Sequence, residues 1–428
     1  FYVSTDDIFD DSKWSDAVYF DEVGFDQDLL FDDDGKVYQT VTRFDFTADF
    51  TDGKPKIQSW INEIDLASGR SLTAPVLAKA SALGVAEGCH IIKHEGYYYF
   101  FTAEGGTQSG HRECVYRSDS PLGPFHPPPD GINPLIYNGD HPDIQNTGHM
   151  DLIQGDGGRW IAVFLGVRPV FEAKVDVTGT KGMPTHLGRE TFMATVEWVD
   201  GWPVVNNREP IELVGKAKGL SLLPEARAWV DDFSAIELQL GWYRVHVPLR
   251  SFHDLRKRPG SLAIYGSATT LDVDHSPSIL LQKQPGFIGD WSTRVGFTPT
   301  QPGQEAGTVV WLHSKAYAAL GIRGTKEGEL EVFFRRPNAE GKHEVSHRVD
   351  SIPDRLRMTL IIEARQLEYT FKYQMDSTVK EAGRVPTSSF HPLFTGVHLG
   401  LYAQGAREVP CLNPAYFEYA KWDVPSTE

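Results

Sequence analysis

The sequence predicts an all-β protein, with a β-propeller over its first half and a β-sandwich over its second. Three observations carry this expectation. No long stretch shows apolar spacing at the helical period, whereas Gly (40), Pro (27) and aromatic residues (12%) are plentiful among the 428 residues. Gly35, Gly96 and Gly157 recur at a spacing of 61, and Tyr38, Tyr99 and Trp160 keep the same step on the run that follows each glycine. A fixed period of this size, holding about four short strands, is the signature of a propeller blade. Beyond Trp229 the period is lost, yet alternating segments divided by turn residues continue to the end of the chain. Two packed antiparallel sheets accommodate them most economically. A chain of this length divides into two domains and buries a sizeable core without disulfide staples.

The elements follow in order. Phe1-Tyr2-Val3-Ser4-Thr5 reads as the second strand of a hairpin whose first strand would precede it. Leu29-Leu30-Phe31 and Lys36 to Val41 flank Asp34-Gly35, and Asp-Gly between apolar runs is a strong hairpin signal because glycine tolerates the positive φ of such turns. A strand from Gln58 to Ile64 ends at Ser68-Gly69. The design repeats through Ile91-Ile92 and Tyr97-Tyr98-Tyr99, where the tyrosines are packing residues by the strand period. Thr191 to Val199, the turn Asp200-Gly201 and Trp202-Pro203-Val204-Val205 form a last hairpin. The propeller is expected over 1–215, a linker over 216–228 and the sandwich over 229–428. Sandwich strands are expected at Thr308 to Leu312, Leu330 to Phe334, Met358 to Ala364 and Tyr369 to Tyr373.

Charge narrows the partners. The formal net charge is −17 and no Lys/Arg-rich run occurs, which argues against nucleic acid or an anionic membrane and suits a neutral sugar. No run reaches the length of a membrane span. Cys89, Cys114 and Cys411 lack metal-ligand spacing and read as buried free thiols, with a Cys89–Cys114 bridge as the alternative.

The chemistry is expected where the blades begin. Asp26, Glu87 and Gly148-His149 head successive units, again 61 apart. The innermost strands of a propeller line its channel, so residues at these points converge. Inverting hydrolysis of a glycosidic bond needs an acid to protonate the leaving oxygen and a base to activate water, roughly 6.5–9.5 Å apart. Glu87 taken alone reads as a solvated loop glutamate; its periodic placement opposite Asp26 makes it the candidate acid. Asp26 otherwise reads as a strand-entry cap. His149 is either a satisfied interior group or a polar organiser beneath the site. Arg189 would by default pair with a neighbouring acid, and facing the channel it would instead hold sugar hydroxyls. Asp32-Asp33-Asp34 reads as a solvated turn, since no glutamate completes a calcium loop.

These residues carry a family resemblance. Gly24-Phe25-Asp26, Glu87-Gly88-x-His90, His111-x-Glu113, Gly148-His149, Gly188-Arg189-Glu190-Thr191 and Glu197-Trp198-Val199-Asp200 resemble glycoside hydrolase family 43. The second half resembles the concanavalin-like β-sandwich appended to the family's arabinofuranosidase and xylosidase branch. The resemblance implies a five-bladed propeller and inverting, exo-acting release of α-L-arabinofuranosyl units from arabinoxylan, arabinan or related oligosaccharides outside the cell. The alternatives are β-D-xylosidase activity, or a carbohydrate-binding propeller without a base. It implies Glu87 as general acid, Asp26 as the aspartate that tunes and orients it, and Arg189 as a substrate contact. Phe394, in Leu393-Phe394-Thr395-Gly396, would reach towards the pocket. His149 matches a channel histidine that in some members helps hold water or an ion; no cofactor is required, although a calcium or other structural ion is compatible with the channel. The family's base is an aspartate in an upstream Asp-Pro motif. Only 25 residues precede Asp26, so the N-terminal blade is expected to lie outside this sequence and no base is named. Cys89 stands where relatives usually carry proline.

Overall fold

The computed structural model describes residues 1–45, 56–172, 182–215, 228–246, 251–337, 343–352, 357–406 and 409–425. It divides into two compact units: Phe1–Pro169 with Glu190–Leu220, and Val170–Arg189 with Ser221–Glu428. The linker expected at 216–228 lies outside the described residues except for its last position.

Three antiparallel sheets follow one another in the first unit. The first contains β1 (Phe25–Phe31), β2 (Val37–Asp45), β3 (Lys56–Asp65) and β4 (Arg70–Ser71), with β5 (Val76–Ala80) also paired to β3. The second contains β6 (Ala86–His94), β7 (Tyr97–Glu104) and β8 (Arg112–Ser118). The third contains β9 (Gln145–Gln154), β10 (Trp160–Val167), β11 (Glu190–Val199) and β12 (Trp202–Val205). Each is a propeller blade. In the second, two isolated bridges, Glu113 to Ile136 and Arg117 to His126, take the place of an outer strand. The repeated glycines sit in the first hairpin turn of each blade with φ of 83°, 85° and 74° at Gly35, Gly96 and Gly157. This is the left-handed region where a Cβ is costly, so the period rests on backbone geometry.

Period-two alternation then builds the blade interfaces. Tyr38, Tyr98 and Phe100 join Leu30, Ile61 and Ile91 between the first two blades. Tyr99 and Phe101 point the other way and join Val115, Phe164, Val196 and Trp202 between the second and third. Each fully buried side chain of this size stabilises by roughly 1.5–3 kcal/mol. Two expectations need correction. Phe1 to Thr5 form no hairpin strand; Tyr2 makes a single bridge to Val18 and its Oη donates to Leu66 O at 2.7 Å, while Ser15 N donates to Ser4 O at 2.8 Å. Nor is Asp32 a solvated turn residue. Its carboxylate accepts from Lys93 Nζ and Tyr98 Oη, both at 2.6 Å, so it ties the first blade to the second, while Asp33 stays exposed.

The second unit is the sandwich. One sheet runs in the order His253–Arg258, Ser261–Gly266, Cys411–Asp423, Gly289–Gly296, Arg357–Ala364, Glu368–Met375, Thr378–Pro386, with Trp229–Asp231 added along Cys411–Asp423. The other runs Ile279–Lys283, His398–Gln404, Glu305–His313, Ala316–Gly324, Leu330–Pro337, His343–Ile352. Trp291, Leu360, Phe371 and Phe417 of the first face Val310, Leu320, Phe334 and Leu401 of the second. The second sheet also buries its other face, where Val309, Trp311, Tyr317, Phe333 and Tyr402 pack with Leu271 and Leu281. That double burial explains why Val309-Val310-Trp311 is a continuous apolar run. All three cysteines are buried and free, so the Cys89–Cys114 bridge does not form.

Candidate active site at the blade heads

Each innermost strand of the first unit is broken by a bulge near its start. Phe25 pairs with Thr42 and Asp28 with Thr40, leaving Asp26 and Gln27 as the extra residues. Glu87 pairs with Ala103 and His90 with Phe101, leaving Gly88 and Cys89. Gly148 pairs with Leu165 and Asp151 with Val163, leaving His149 and Met150. The first bulge residue is left-handed in every case, with φ of 50° at Asp26, 56° at Gly88 and 55° at His149. Non-glycine residues pay for this conformation in strain, and such strain gathers at functional sites.

This register corrects the expected symmetry of the two acids. Asp26 corresponds to Gly88, and Glu87 corresponds to Phe25, because the hairpin after β1 is longer than the one after β6. The equal spacing of Asp26 and Glu87 therefore does not reflect equivalent positions. The offset has a use: it sets the Asp26 carboxylate against the backbone next to Glu87. Gly88 N donates to Asp26 Oδ2 at 3.0 Å. The Asp26 carbonyl also receives the Cys89 thiol at 3.8 Å, and Thr40 Oγ1 donates to Cys89 O at 2.9 Å. The loop behind Glu87 is thus fixed from the first blade, with Cys89 as a buried packing group whose thiol is pushed up by burial.

The third blade closes on the same loop. A Cβ built on Gly88 would fall 2.6 Å from both Cδ2 and Nε2 of His149, so the imidazole lies directly on the Gly88 backbone. His111 repeats the device one step on. Its ring lies against Gly148, and its Nδ1 is 2.9 Å from Asn146 O. Asp26, Glu87 and His149 are brought together through Gly88, which explains why that position is glycine.

Immediately after each bulge comes a polar residue, Asp28, His90 or Asp151, a second ring that sequence reasoning missed. The longer first hairpin shifts the spacing from Asp28 to His90 to 62, one more than the glycine period, so the repeat does not align them. His90 Nδ1 lies 3.6 Å from Asp28 Oδ2, which also accepts from Ile91 N at 3.1 Å. Burial alone would raise the Asp28 carboxyl, but the imidazole and backbone N–H groups outweigh it and hold it below its ordinary value. Burial alone would lower His90, and Asp28, with Asp151 further off, holds it above. Among the described residues no group of three or more His, Cys, Asp or Glu is arranged to hold a metal ion. The fit of a channel ion therefore rests on His149, whose ring is already packed on Gly88.

Arg189 and Phe394 meet in the second unit. Gly188 bridges Thr395, Arg189 N donates to Phe394 O at 2.9 Å, and Val397 N donates to His186 O at 2.9 Å. The two backbones cross so closely that a Cβ on Gly396 would fall 1.9 Å from Leu187 O. This crossing sets the Arg189 guanidinium over the Phe394 ring, 4.7 Å from its centroid. Phe394 remains half exposed. Arg168 takes the acid next to Arg189: its Nε and Nη2 grip both oxygens of Glu190 at 2.9 and 2.8 Å.

Comparison with known proteins agrees with this architecture. The sequence model described as "Glycosyl hydrolases family 43" matches residues 1–203. "Beta xylosidase C-terminal Concanavalin A-like domain" matches residues 230–423. A "Non-reducing end alpha-L-arabinofuranosidase" of Bacteroides ovatus is 35% identical over 356 residues, covering 79% of this chain and 63% of the relative. A "Xylosidase/arabinosidase" of Butyrivibrio fibrisolvens is 32% identical over 330 residues, covering 72% and 59%. The chain thus spans about three fifths of the length of these curated relatives. Among solved structures, "Bacteroides ovatus Xyloglucan PUL GH43B" superposes with a TM-score of 0.83 at 31% identity, over 96% of this chain and 78% of that one. A xylan beta-1,4-xylosidase from Bacillus halodurans shares the fold at a TM-score of 0.84 and 24% identity, over 96% and 78%. Blades, appended sandwich and sequence likeness converge: the chain belongs to glycoside hydrolase family 43.

Proposed function

We propose that the protein is an inverting, exo-acting glycoside hydrolase that removes α-L-arabinofuranosyl units from arabinoxylan or arabinan-type polysaccharides. The observation that carries the reading is the clamp at Gly88, where Asp26 grips the N–H next to Glu87 and His149 covers its other side. A general acid must meet the leaving oxygen in one orientation, and a loop held from two neighbouring blades supplies that orientation. Glu87 is assigned as the acid and Asp26 as the residue that orients it. No described residue is assigned as the base, which inversion requires on the opposite face of the sugar.

The Arg189–Phe394 pair has the chemistry of a sugar contact in its own right. The guanidinium offers several donors in one plane to adjacent hydroxyls, and the ring offers an apolar surface to C–H groups. An arabinofuranosidase among the relatives supports the choice of sugar. The relative named for both activities favours a second reading, β-D-xylosidase. Release of arabinose or xylose from 4-nitrophenyl α-L-arabinofuranoside and β-D-xyloside by the full-length protein separates the two. A folded protein that binds these sugars and hydrolyses neither is a carbohydrate-binding propeller, and the enzyme reading then fails. The anomer first formed, followed by NMR, tests inversion.

A further inference from the structure

Glu113 is a fully buried carboxyl that none of the roles above uses. Its place in the second blade is specific. Glu87 on β6 pairs with Ala103 on β7, and Ala103 pairs with Glu113 on β8. Directly opposed residues on adjacent strands present their side chains on one face. Glu113 therefore stands in the same row as Glu87, two strand spacings away, or roughly 10 Å between backbones. Only the methyl group of the fully buried Ala103 projects from the strand between them.

From this row Glu113 reaches the third blade. Its Oε2 accepts from Met150 N at 2.9 Å. Met150 is the second residue of the bulge whose first residue is His149, and the His149 ring is what lies on Gly88. One carboxyl thus holds the bulge from the blade that carries the acid, and the bulge returns to that blade beside the acid. The loop closes through Glu113, Met150, His149, Gly88 and Glu87. Bulges leave ladder N–H groups without strand partners, and a buried one needs an acceptor.

We propose that Glu113 is a positioning residue for the general acid, holding the His149–Met150 bulge so that the imidazole seats the Gly88 backbone beside Glu87. Rows and hydrogen bonds carry the proposal, and it rests on the reading of Glu87 as the acid. The state of the carboxyl suits the task. Burial, opposed by the N–H of Met150, pushes it up to about 8, and Oε1 has no hydrogen-bond partner among the described residues. Below that pH the group is a neutral acid, for which glutamine is a close isostere with a carbonyl in the same place.

The test compares Glu113→Gln, Glu113→Asp and Glu113→Ala in the full-length protein. The substrates are the 4-nitrophenyl glycoside, whose leaving group needs little protonation, and the methyl glycoside of the same sugar, whose leaving group depends on it. Glu113→Asp withdraws the acceptor by one methylene while keeping the site polar, and it decides the matter should the alanine variant not fold. A displaced acid predicts that the Asp and Ala variants lose roughly 10- to 100-fold in kcat on the methyl glycoside. Loss on the nitrophenyl glycoside should be much smaller, and the Gln variant should stay within about threefold of the parent on both. Equal losses on both substrates, no loss in the Asp variant, or a Gln variant as impaired as Asp would overturn the proposal. Glu87→Gln run alongside keeps the two readings apart. If it shows no leaving-group-dependent loss, the acid assignment fails whatever Glu113 does.

Discussion

The two units bury carboxyl groups in different ways. In the sandwich, Arg335 lays its fork on Glu305, with Nη1 to Oε1 and Nη2 to Oε2 both at 2.9 Å. Tyr402 Oη donates to the same carboxylate at 3.1 Å, and Tyr317 Oη donates to Asp272 at 2.7 Å. Charge meets charge, and none of these residues adopts left-handed backbone. At the blade heads, carboxyls grip backbone instead: Asp26 holds Gly88 N, Asp28 holds Ile91 N and Glu113 holds Met150 N. Gly88 is left-handed, Met150 follows left-handed His149 in its bulge, and Ile91 lies just past the second-blade bulge. A carboxylate neutralised by arginine serves the fold around it. A carboxyl that holds a strained main chain keeps another side chain where it is needed, so the same residue type reads as structure in one unit and as function in the other.

The sharpest way to break this contrast is to remove the carboxyl of Glu87, the proposed acid. Glu87→Gln should lower turnover of poor leaving groups by about 10²–10⁴ while the melting temperature stays within a degree or two, because only proton transfer is lost. A large fall in melting temperature would make Glu87 a structural residue and erase the distinction. The sandwich should respond in reverse. Arg335→Met leaves Glu305 buried without its cation and should cost about 3–5 kcal/mol in denaturant unfolding. Turnover per folded molecule should be unchanged. A catalytic defect at full folding would show that buried charge in the second unit also serves the chemistry.

The legible part of this protein was the part with a local signature. A left-handed hairpin turn demands glycine, so Gly35, Gly96 and Gly157 announced the blades. Alternation announced the strands on either side. The bulges were invisible, since Asp26 and His149 adopt left-handed backbone without being glycine. The longer first hairpin also put the first-strand alignment one residue out, although the residues it selected do converge on Gly88. Glu113 stood in a recognised motif, but no local pattern gives burial or a hydrogen bond to a residue 37 positions away. Arg189 and Phe394 were each found by resemblance. Their pairing depends on a backbone crossing between segments some two hundred residues apart, which strand period and turn chemistry do not encode.

Gly88→Ala tests the clamp between these extremes. The new methyl meets the His149 ring and the backbone stays left-handed, so both effects act together. A stability loss of about 1–3 kcal/mol is expected from the strain. The displaced imidazole should also bring a fall in turnover that is larger for poor leaving groups. A variant with full activity and lower stability would show that the His149 contact packs the blades without orienting the acid.

The last expected signal is a slope rather than a step. Glu113 in the folded protein binds its proton up to about pH 8, whereas an unfolded glutamate releases it near its ordinary value of about 4.5. Between those limits the folded state holds the extra proton, so this group's contribution is fully present below the lower limit and is lost as pH rises to the upper one. Wild-type stability should therefore fall by up to about 1.4 kcal/mol per pH unit across the window relative to Glu113→Gln, which has no proton to lose. Urea unfolding of both proteins at pH 5, 6, 7 and 8 measures it, and the two should draw apart steadily with the glutamine variant on top. Parallel curves would mean that Glu113 is ionised throughout, and the contrast between blade-head and sandwich carboxyls would then have to rest on the backbone contacts alone.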